Sequence, residues 1–249
     1  MEEYPRYVRA GLELFDPIAL ASWTEDIVCK DSMRRYTDFY CTGVYGGIST
    51  GYTVGCCLRC IFCWVDFSRD FPEKFGRFYS PESAFEQLLS NAKKEKVKKL
   101  RISGGEPTLC QDHLLRLLDL IEETDYLFIL ETNGILFGAD EGYVEKLTKY
   151  KNIHLRVSLK AGTPEGFERR TGAKGEFYEL PYQTIRNLME KKISFHVAAM
   201  SDPRLMPFEE RAAMLKRLNE MGYRDFIEEE TCDPYHHTIY RLKEAGLTI

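Results

Sequence analysis

From about residue 45 onward, short apolar and β-branched runs alternate with longer stretches whose apolar residues recur every three or four positions. The first pattern predicts buried strands and the second amphipathic helices. Strands are expected at 48–54, 97–103, 126–130, 153–159, 193–200 and 225–229. Helices are expected at 81–96, 111–123, 141–150, 180–191, 207–221 and 235–245. Ser80 before Pro81 has the form of an N-cap and first helical turn. Leu114, Leu115, Leu117, Leu118 and Ile121 share the apolar side of 111–123. Glu131-Thr132-Asn133-Gly134 is expected as a turn closing the third strand, and residues 160–179 as a loop.

Strand–helix alternation implies an α/β fold with a parallel sheet, because each parallel crossover needs a dozen or more residues. The six units just named are too few for a closed eight-stranded barrel. They predict an open partial (β/α)6 barrel of parallel strands with outer helices, with a doubly wound sheet as the alternative. Residues 45–249 would form this domain. Residues 1–44 fall outside the alternation and are expected to be an N-terminal cap or adapter.

Composition narrows the function. At 44% hydrophobic and 29% charged over 249 residues, the chain can fill a core, which excludes a disordered or low-complexity class. Its 34 Lys+Arg against 39 Asp+Glu leave a net charge of −5, which disfavours a general nucleic-acid binder. No run approaches the roughly 18–20 apolar residues that span a bilayer, so no membrane partner is expected. The acidic start, Met-Glu-Glu-Tyr-Pro-Arg, lacks the apolar region of a secretory signal. A cytoplasmic, reducing location follows as an expectation, with the eight cysteines kept for metal or chemistry rather than disulfides.

Cys56, Cys57, Cys60 and Cys63 crowd into eight residues. Cys56, Cys60 and Cys63, spaced C-x3-C-x2-C, can wrap an iron–sulfur cluster from one loop and leave a fourth iron open. A zinc site is the alternative, but closed zinc sites join two separated ligand pairs, and no second pair exists here. Cys57, adjacent to Cys56, is poorly placed to reach the same metal. The cysteine loop, Gly104-Gly105-Glu106, Glu131-Thr132-Asn133, Ser158-Leu159-Lys160 and Pro234-Tyr235-His236 each follow a different expected strand. Loops beyond the carboxyl ends of such strands share one rim, so these segments should converge.

Cys56-x3-Cys60-x-Phe62-Cys63 resembles the signature of the radical S-adenosylmethionine (SAM) enzymes, and Gly104-Gly105-Glu106-Pro107 resembles their Gly-Gly-Glu-Pro motif. The resemblance implies a TIM-like partial barrel and a [4Fe–4S] cluster held by Cys56, Cys60 and Cys63, the catalytic centre. The open iron would chelate SAM, which an electron would cleave to methionine and a 5′-deoxyadenosyl radical that abstracts a substrate hydrogen. Glycines admit close backbone approach, and a carboxylate suits the methionine ammonium.

Glu131-Thr132-Asn133-Gly134, Ser158-Leu159-Lys160 and Pro234-Tyr235-His236 are similar to Asp-Thr-Asn-Gly, Asp-Leu-Lys and Pro-Tyr-His of glycyl-radical-enzyme activases. Phe62, Gly104, Gly105, Glu106, Glu131, Asn133, Ser158, Lys160 and His236 are thereby implied as SAM contacts. The nearest model is an activase-like oxidoreductase acting on a glycine Cα of a partner protein. A small molecule or a tRNA base is the alternative substrate, and a non-catalytic metal protein the competing class. A reductant such as flavodoxin or ferredoxin is implied. Two departures stand out: the Asp-Leu-Lys aspartate is Ser158, and no activase signature surrounds the cysteine loop.

Other features read more plainly. Trp64 after Cys63 resembles enzymes building tricyclic tRNA bases, but the lysine-rich 93–99 reads as a solvated helix end. Tyr36, Phe39, Tyr40 and Tyr45 read as packing. Asp66, Arg69, Asp70 and Arg77 are candidates for substrate contact. Glu228–Glu230 read as a strand edge with a solvated acidic corner, with one of them facing the rim as the alternative, and His196 as either a ligand contact or a core histidine.

Overall fold

The computed structural model describes residues 4–11 and 13–247. Among them nine strands form one sheet: β1 (Cys29–Lys30), β2 (Met33–Thr42), β3 (Ile48–Thr53), β4 (Arg77–Tyr79), β5 (Lys99–Gly104), β6 (Leu127–Thr132), β7 (Ile153–Leu159), β8 (Phe195–Met200) and β9 (Ile227–Glu230). The order is β1-β2-β3-β5-β6-β7-β8-β9, with β4 on β2. Strands β3, β5, β6, β7, β8 and β9 run parallel, and β9 has no pairing back to the first strands among the described residues. This is the expected open (β/α)6 partial barrel.

The helices are α1 (Pro17–Val28), α2 (Pro81–Glu95), α3 (Gln111–Glu122), α4 (Ile135–Ala139), α5 (Glu141–Glu145), α6 (Pro164–Thr171), α7 (Glu179–Glu190), α8 (Phe208–Glu220) and α9 (His236–Glu244). Leu100, Ile102, Phe128, Leu130, Leu155, Val157, Val197 and Ala199 are sealed into the core between sheet and helices. The alternate positions of the same strands face the concave side, since successive strand side chains point to opposite faces. Most of these positions are polar, among them Arg101, Ser103, Glu131, Arg156, Ser158 and His196.

Three local features differ from the sequence expectation. Glu131 and Thr132 belong to β6 rather than to a turn, which begins at Asn133. The helix expected at 141–150 is cut short: α5 stops at Glu145 with turns after it, and a separate short helix, α4, precedes it. The expected loop after β7 contains α6, whose Pro-Glu-Gly-Phe-Glu-Arg-Arg-Thr sequence lacks an apolar stripe. Thr163 caps this helix by accepting from Gly166 N (3.0 Å), and Arg170 pairs with buried Glu210. A cap and an ion pair therefore replace the missing hydrophobic period.

Residues before β3 contribute α1, capped by Asp16 accepting from Ile18 N (2.7 Å), and strands β1 and β2. β2 extends the sheet by antiparallel pairing with β3. Cys29 and Cys110 are joined as a disulfide with Cα atoms 5.8 Å apart. This corrects the expectation that none of the cysteines forms a staple. Spacing along the chain could not reveal the pair, because 81 residues separate its members.

Candidate active site

Between β3 and β4 the chain forms an irregular loop carrying Cys56, Cys60 and Cys63, and its backbone is held from both sides. Its N–H groups reach the C-terminus of α6, with Arg59 N donating to Thr171 O (3.0 Å) and Ile61 N to Arg170 O (2.9 Å). Its carbonyls accept from buried guanidinium groups: Arg59 on Cys56 O (2.7 Å), Arg69 on Cys60 O (2.6 Å) and Arg241 on Cys63 O (2.7 Å). Arg69 and Arg241 share the carboxylate of Asp70, which is fully buried. Asp70 stays ionised below the usual carboxylate range, because the two guanidinium groups outweigh the cost of burial. Arg69 and Asp70 thus clamp the loop rather than meet a substrate, and Arg77 lies exposed on β4. The substrate role expected for these residues is corrected.

Cys56, Cys60 and Cys63 line one side of a cavity of about 1010 Å³ at the carboxyl ends of the parallel strands. Cys57 points elsewhere, buried against Asn133, whose Nδ2 lies 3.3 Å from its sulfur. The neighbouring Cys57 thiol holds the Cys56 thiol down to about 7, while burial pushes Cys60 up to about 12. Among the described residues no three His, Cys, Asp or Glu side chains converge on a single ion. The donor set at this cavity is the three thiols that line it. That arrangement fits a cuboidal cluster with one iron left open.

Gly104 and Gly105 pass directly beside this loop. Gly105 N donates to Thr53 O and Glu106 N to Gly55 O, both at 2.8 Å. A Cβ on Gly105 would collide with the Gly55 carbonyl, and Gly104 has φ +93°, so both positions require glycine. The Glu106 carboxylate is buried: Oε1 accepts from Thr108 N, Thr108 Oγ1 and Thr132 Oγ1, and Oε2 from Asn133 N (2.9 Å). Oε2 keeps capacity for a second donor. This carboxylate ties the ends of β5 and β6 together at the cavity wall.

Deeper in the cavity each remaining strand contributes one polar side chain at a common level: Arg101 (β5), Glu131 (β6), Arg156 (β7), His196 (β8) and Glu228 (β9). The register aligns three of them, since Glu131 pairs with Arg156 and Arg156 with His196, whereas Arg101 and Glu228 join through side-chain hydrogen bonds. Glu131 accepts from Arg101 (2.9 Å), Tyr45 (2.7 Å) and Ser103 (2.6 Å). Arg156 donates to Glu228 (2.8 and 3.0 Å) and to Glu230 (2.8 Å). His196 Nε2 lies 3.0 Å from Glu228, and its Nδ1 lies 2.8 Å from His154 Nε2.

The His196 and Arg156 hydrogen bonds hold Glu228 down at about 2. Glu230 is also held at about 2: burial opposes its charge, but Lys160 and Arg156 prevail. Burial likewise works against Lys160, yet Glu230 and the Cys60 sulfur keep its ammonium above the ordinary value. Arg101 Nη2 and Arg156 Nη1 have no hydrogen-bond partner among the described residues.

The cavity thus brings together Cys56, Cys60, Cys63, Phe62, Gly104, Gly105, Glu106, Glu131, Asn133, Ser158 and Lys160. His236 is the exception. It is exposed at the start of α9 with its ring near Phe67, outside the cavity lining. The neighbouring His237 is the buried one and bonds the Trp64 carbonyl. Tyr40 and Tyr45 line the cavity, whereas Tyr36 and Phe39 stack together in packing. Glu228 and Glu230 face inward, and Glu229 pairs with Arg211. Arg101 and Arg156 were missed by sequence reasoning. Their signal was available: each is an arginine held between two aliphatic residues of a strand, Leu100-Arg-Ile102 and Leu155-Arg-Val157.

The radical SAM superfamily model matches residues 51–200, which hold the cysteine loop, the Gly-Gly-Glu loop and most of the charged level. A tRNA 4-demethylwyosine synthase from Methanocaldococcus jannaschii is 25% identical over 202 residues, covering 70% of this chain and 62% of its own. A putative glycyl-radical enzyme activating enzyme, MJ1632, from the same organism is 32% identical over 44% of this chain and 38% of its own. A probable GTP 3′,8-cyclase from Methanococcus maripaludis is 31% identical over 48% of this chain and 38% of its own. The chain therefore spans between 38% and 62% of the length of these relatives.

Among solved structures, Streptococcus suis SuiB bound to S-adenosylmethionine superposes with a TM-score of 0.58 at 20% identity, covering 78% of this chain and 44% of that one. TYW1 with a lysine–pyruvate adduct gives 0.56 at 23% identity, covering 74% and 64%. These likenesses show the fold. With the family model spanning more than half its length, the chain belongs to the radical SAM superfamily, whose cofactors are a [4Fe–4S] cluster and S-adenosylmethionine.

Proposed function

We propose that this enzyme binds a small polar substrate on the charged level of the barrel and has a hydrogen atom removed from it there. Cys56, Cys60 and Cys63 hold the cluster. The Gly104–Gly105 backbone and Glu106 Oε2 receive the methionine ammonium of SAM, and Lys160 receives its carboxylate. Asn133, Ser158 and Phe62 complete the cofactor wall. Glu131 accepts from Tyr45, Arg101 and Ser103 and positions Arg101 beside the cofactor wall. When bound, cluster and SAM supply a 5′-deoxyadenosyl radical, using an electron from a reductant such as flavodoxin or ferredoxin.

One observation carries this reading: a single cavity joins the three thiols and the Gly-Gly-Glu loop to a floor of paired charges. Arg101 Nη2 and Arg156 Nη1 offer donors, and Glu228 an acceptor, to a molecule that enters the barrel. Such paired groups recognise polar atoms, because a ligand lacking them would leave buried charges unsolvated.

The similarity to the putative activating enzyme MJ1632 favours a second reading, in which the substrate is a glycine Cα of a partner protein. Anaerobic reconstitution tests the core of both. The expected result is a brown protein with about four irons per chain that releases 5′-deoxyadenosine with dithionite and SAM. Cys60→Ala should lose iron and product together. Colourless protein holding zinc would end the proposal. A glycyl radical signal appearing on a co-purified partner would decide for the second reading.

A further inference from the structure

Behind the Gly104–Glu106 loop, outside the large cavity, lies the Cys29–Cys110 pair, where the end of α1 meets the residue before α3. Three features set it apart from an inert staple. A surface cleft of about 280 Å³ is lined by both cysteines, so a small reagent can reach them. Arg34, only 1% exposed, donates Nη1 to Cys110 Sγ at 3.2 Å, and its Nε has no partner. Arg34 Nη2 donates to the carbonyls of Val54 and Glu106, both at 3.0 Å. The same guanidinium thus touches the sulfur, the strand end leading into the cysteine loop and the Gly-Gly-Glu motif.

We propose that Cys29 and Cys110 are a reversible redox-modification site, closed by a small-molecule disulfide and opened by a thiol, and that Arg34 transmits its state to the Gly104–Glu106 loop. In closing, the Cys110 thiolate attacks one sulfur of a disulfide such as oxidised glutathione, forming a mixed disulfide and expelling one thiolate. Cys29, having lost its proton to solvent, attacks the protein-side sulfur, forms the 29–110 bond and expels the second thiolate. The two protein thiols lose two electrons and two protons, and one glutathione disulfide becomes two thiols.

Cys110 is placed to be the attacking sulfur. Once reduced, it sits against a buried guanidinium and at the N-terminus of a twelve-residue helix, and both favour the thiolate. The other charged or titratable groups around it are Glu25, which accepts from Cys110 N (2.8 Å), Asp31, Asp112 and His113. Burial keeps His113 neutral, down at about 4, and the carboxylates belong to the cleft, whereas Arg34 contacts the sulfur itself. In the disulfide Cys110 is a neutral, weak acceptor. As a thiolate it is an anion that competes with the Glu106 carbonyl for the guanidinium. Reduction therefore loosens the hold on Glu106 O, and oxidation restores it.

The test uses the cluster-loaded protein equilibrated anaerobically in glutathione redox buffers, then trapped by alkylation and digested. The expected result is a 29–110 cross-linked peptide that rises with the oxidised fraction. Hydrogen exchange at residues 104–109 should slow on oxidation, and SAM affinity by equilibrium dialysis should change at least threefold. Cys110→Ser should make both readings insensitive to glutathione. In a Cys29→Ser background, Arg34→Met should slow iodoacetamide alkylation of Cys110 at neutral pH about tenfold, and the charge-keeping Arg34→Lys less.

Failure of the cross-link to form overturns the site. A cross-link with unchanged exchange and SAM affinity leaves only a staple and overturns the coupling. The affinity arm rests on the SAM role proposed for the Gly104–Glu106 loop. The cross-link, exchange and alkylation arms do not, so the two proposals can fail separately.

Discussion

Two networks of arginine and carboxylate lie within the barrel domain and differ in what they leave unsatisfied. Beneath the cysteine loop, Arg69, Asp70 and Arg241 are at most 1% exposed, and the two guanidinium groups close on one carboxylate and on loop carbonyls. On the cavity floor, Arg101, Glu131, Arg156 and Glu228 are also paired, but Glu228 retains 35% side-chain exposure and two guanidinium nitrogens stay free. A sealed network holds backbone in place, and an open one can exchange its water for a ligand. The comparison separates structural from recognition roles among residues of the same types.

The sharpest way to break it is Asp70→Ala, which strands two buried guanidinium groups. A stability loss of about 3–5 kcal/mol is expected, read as a fall in the unfolding midpoint, with loss of bound iron as the loop loosens. A loss below about 1 kcal/mol would mean that water reaches the network. Next comes Arg156→Met, which leaves Glu228 and Glu230 without their shared cation. The cost should be about 1–3 kcal/mol, and the Glu230 carboxyl should rise from about 2 in a carboxyl-detected NMR titration. Glu228→Gln keeps a hydrogen-bonding group on a partly exposed site and should cost under about 1 kcal/mol in thermal unfolding. A cost as large as that of Asp70→Ala would erase the distinction.

The smallest expected effect is on acid stability. Glu228 and Glu230 are held at about 2 against an ordinary value of 4.5. Their contribution is therefore complete above pH 4.5 and drains away as the pH falls toward 2. Thermal unfolding of the wild type should weaken across that window more steeply than that of a Glu228→Gln, Glu230→Gln double variant. Parallel curves would place the protonation events elsewhere.

Legibility in the sequence followed the range of the forces involved. Strand β7 is read residue for residue, because Ile153, Leu155, Val157 and Leu159 alternate with His154, Arg156 and Ser158. The cysteine and Gly-Gly-Glu loops are equally plain, since thiol spacing and paired glycines act within a few residues. Helix α6 was hidden, because a threonine cap and an ion pair to a residue 40 positions away hold it instead of an apolar stripe. Glu228 and Glu230 read as a solvated corner, since their partner Arg156 lies more than 70 residues earlier. His236 and His237 were indistinguishable in sequence. The turn of α9 alone decides which ring is buried.

By itself the sequence determined the strand–helix alternation, the cysteine loop and the glycines beside it, all set by local backbone geometry and by periodicity. Tertiary structure alone decided which charges meet. Parallel register aligns Glu131, Arg156 and His196, side-chain hydrogen bonds bring Arg101 to Glu131 and Glu228 to Arg156, and the approach of α1 to α3 brings Cys29 to Cys110. Ion pairs and disulfides depend on distance in space, which a linear pattern does not encode.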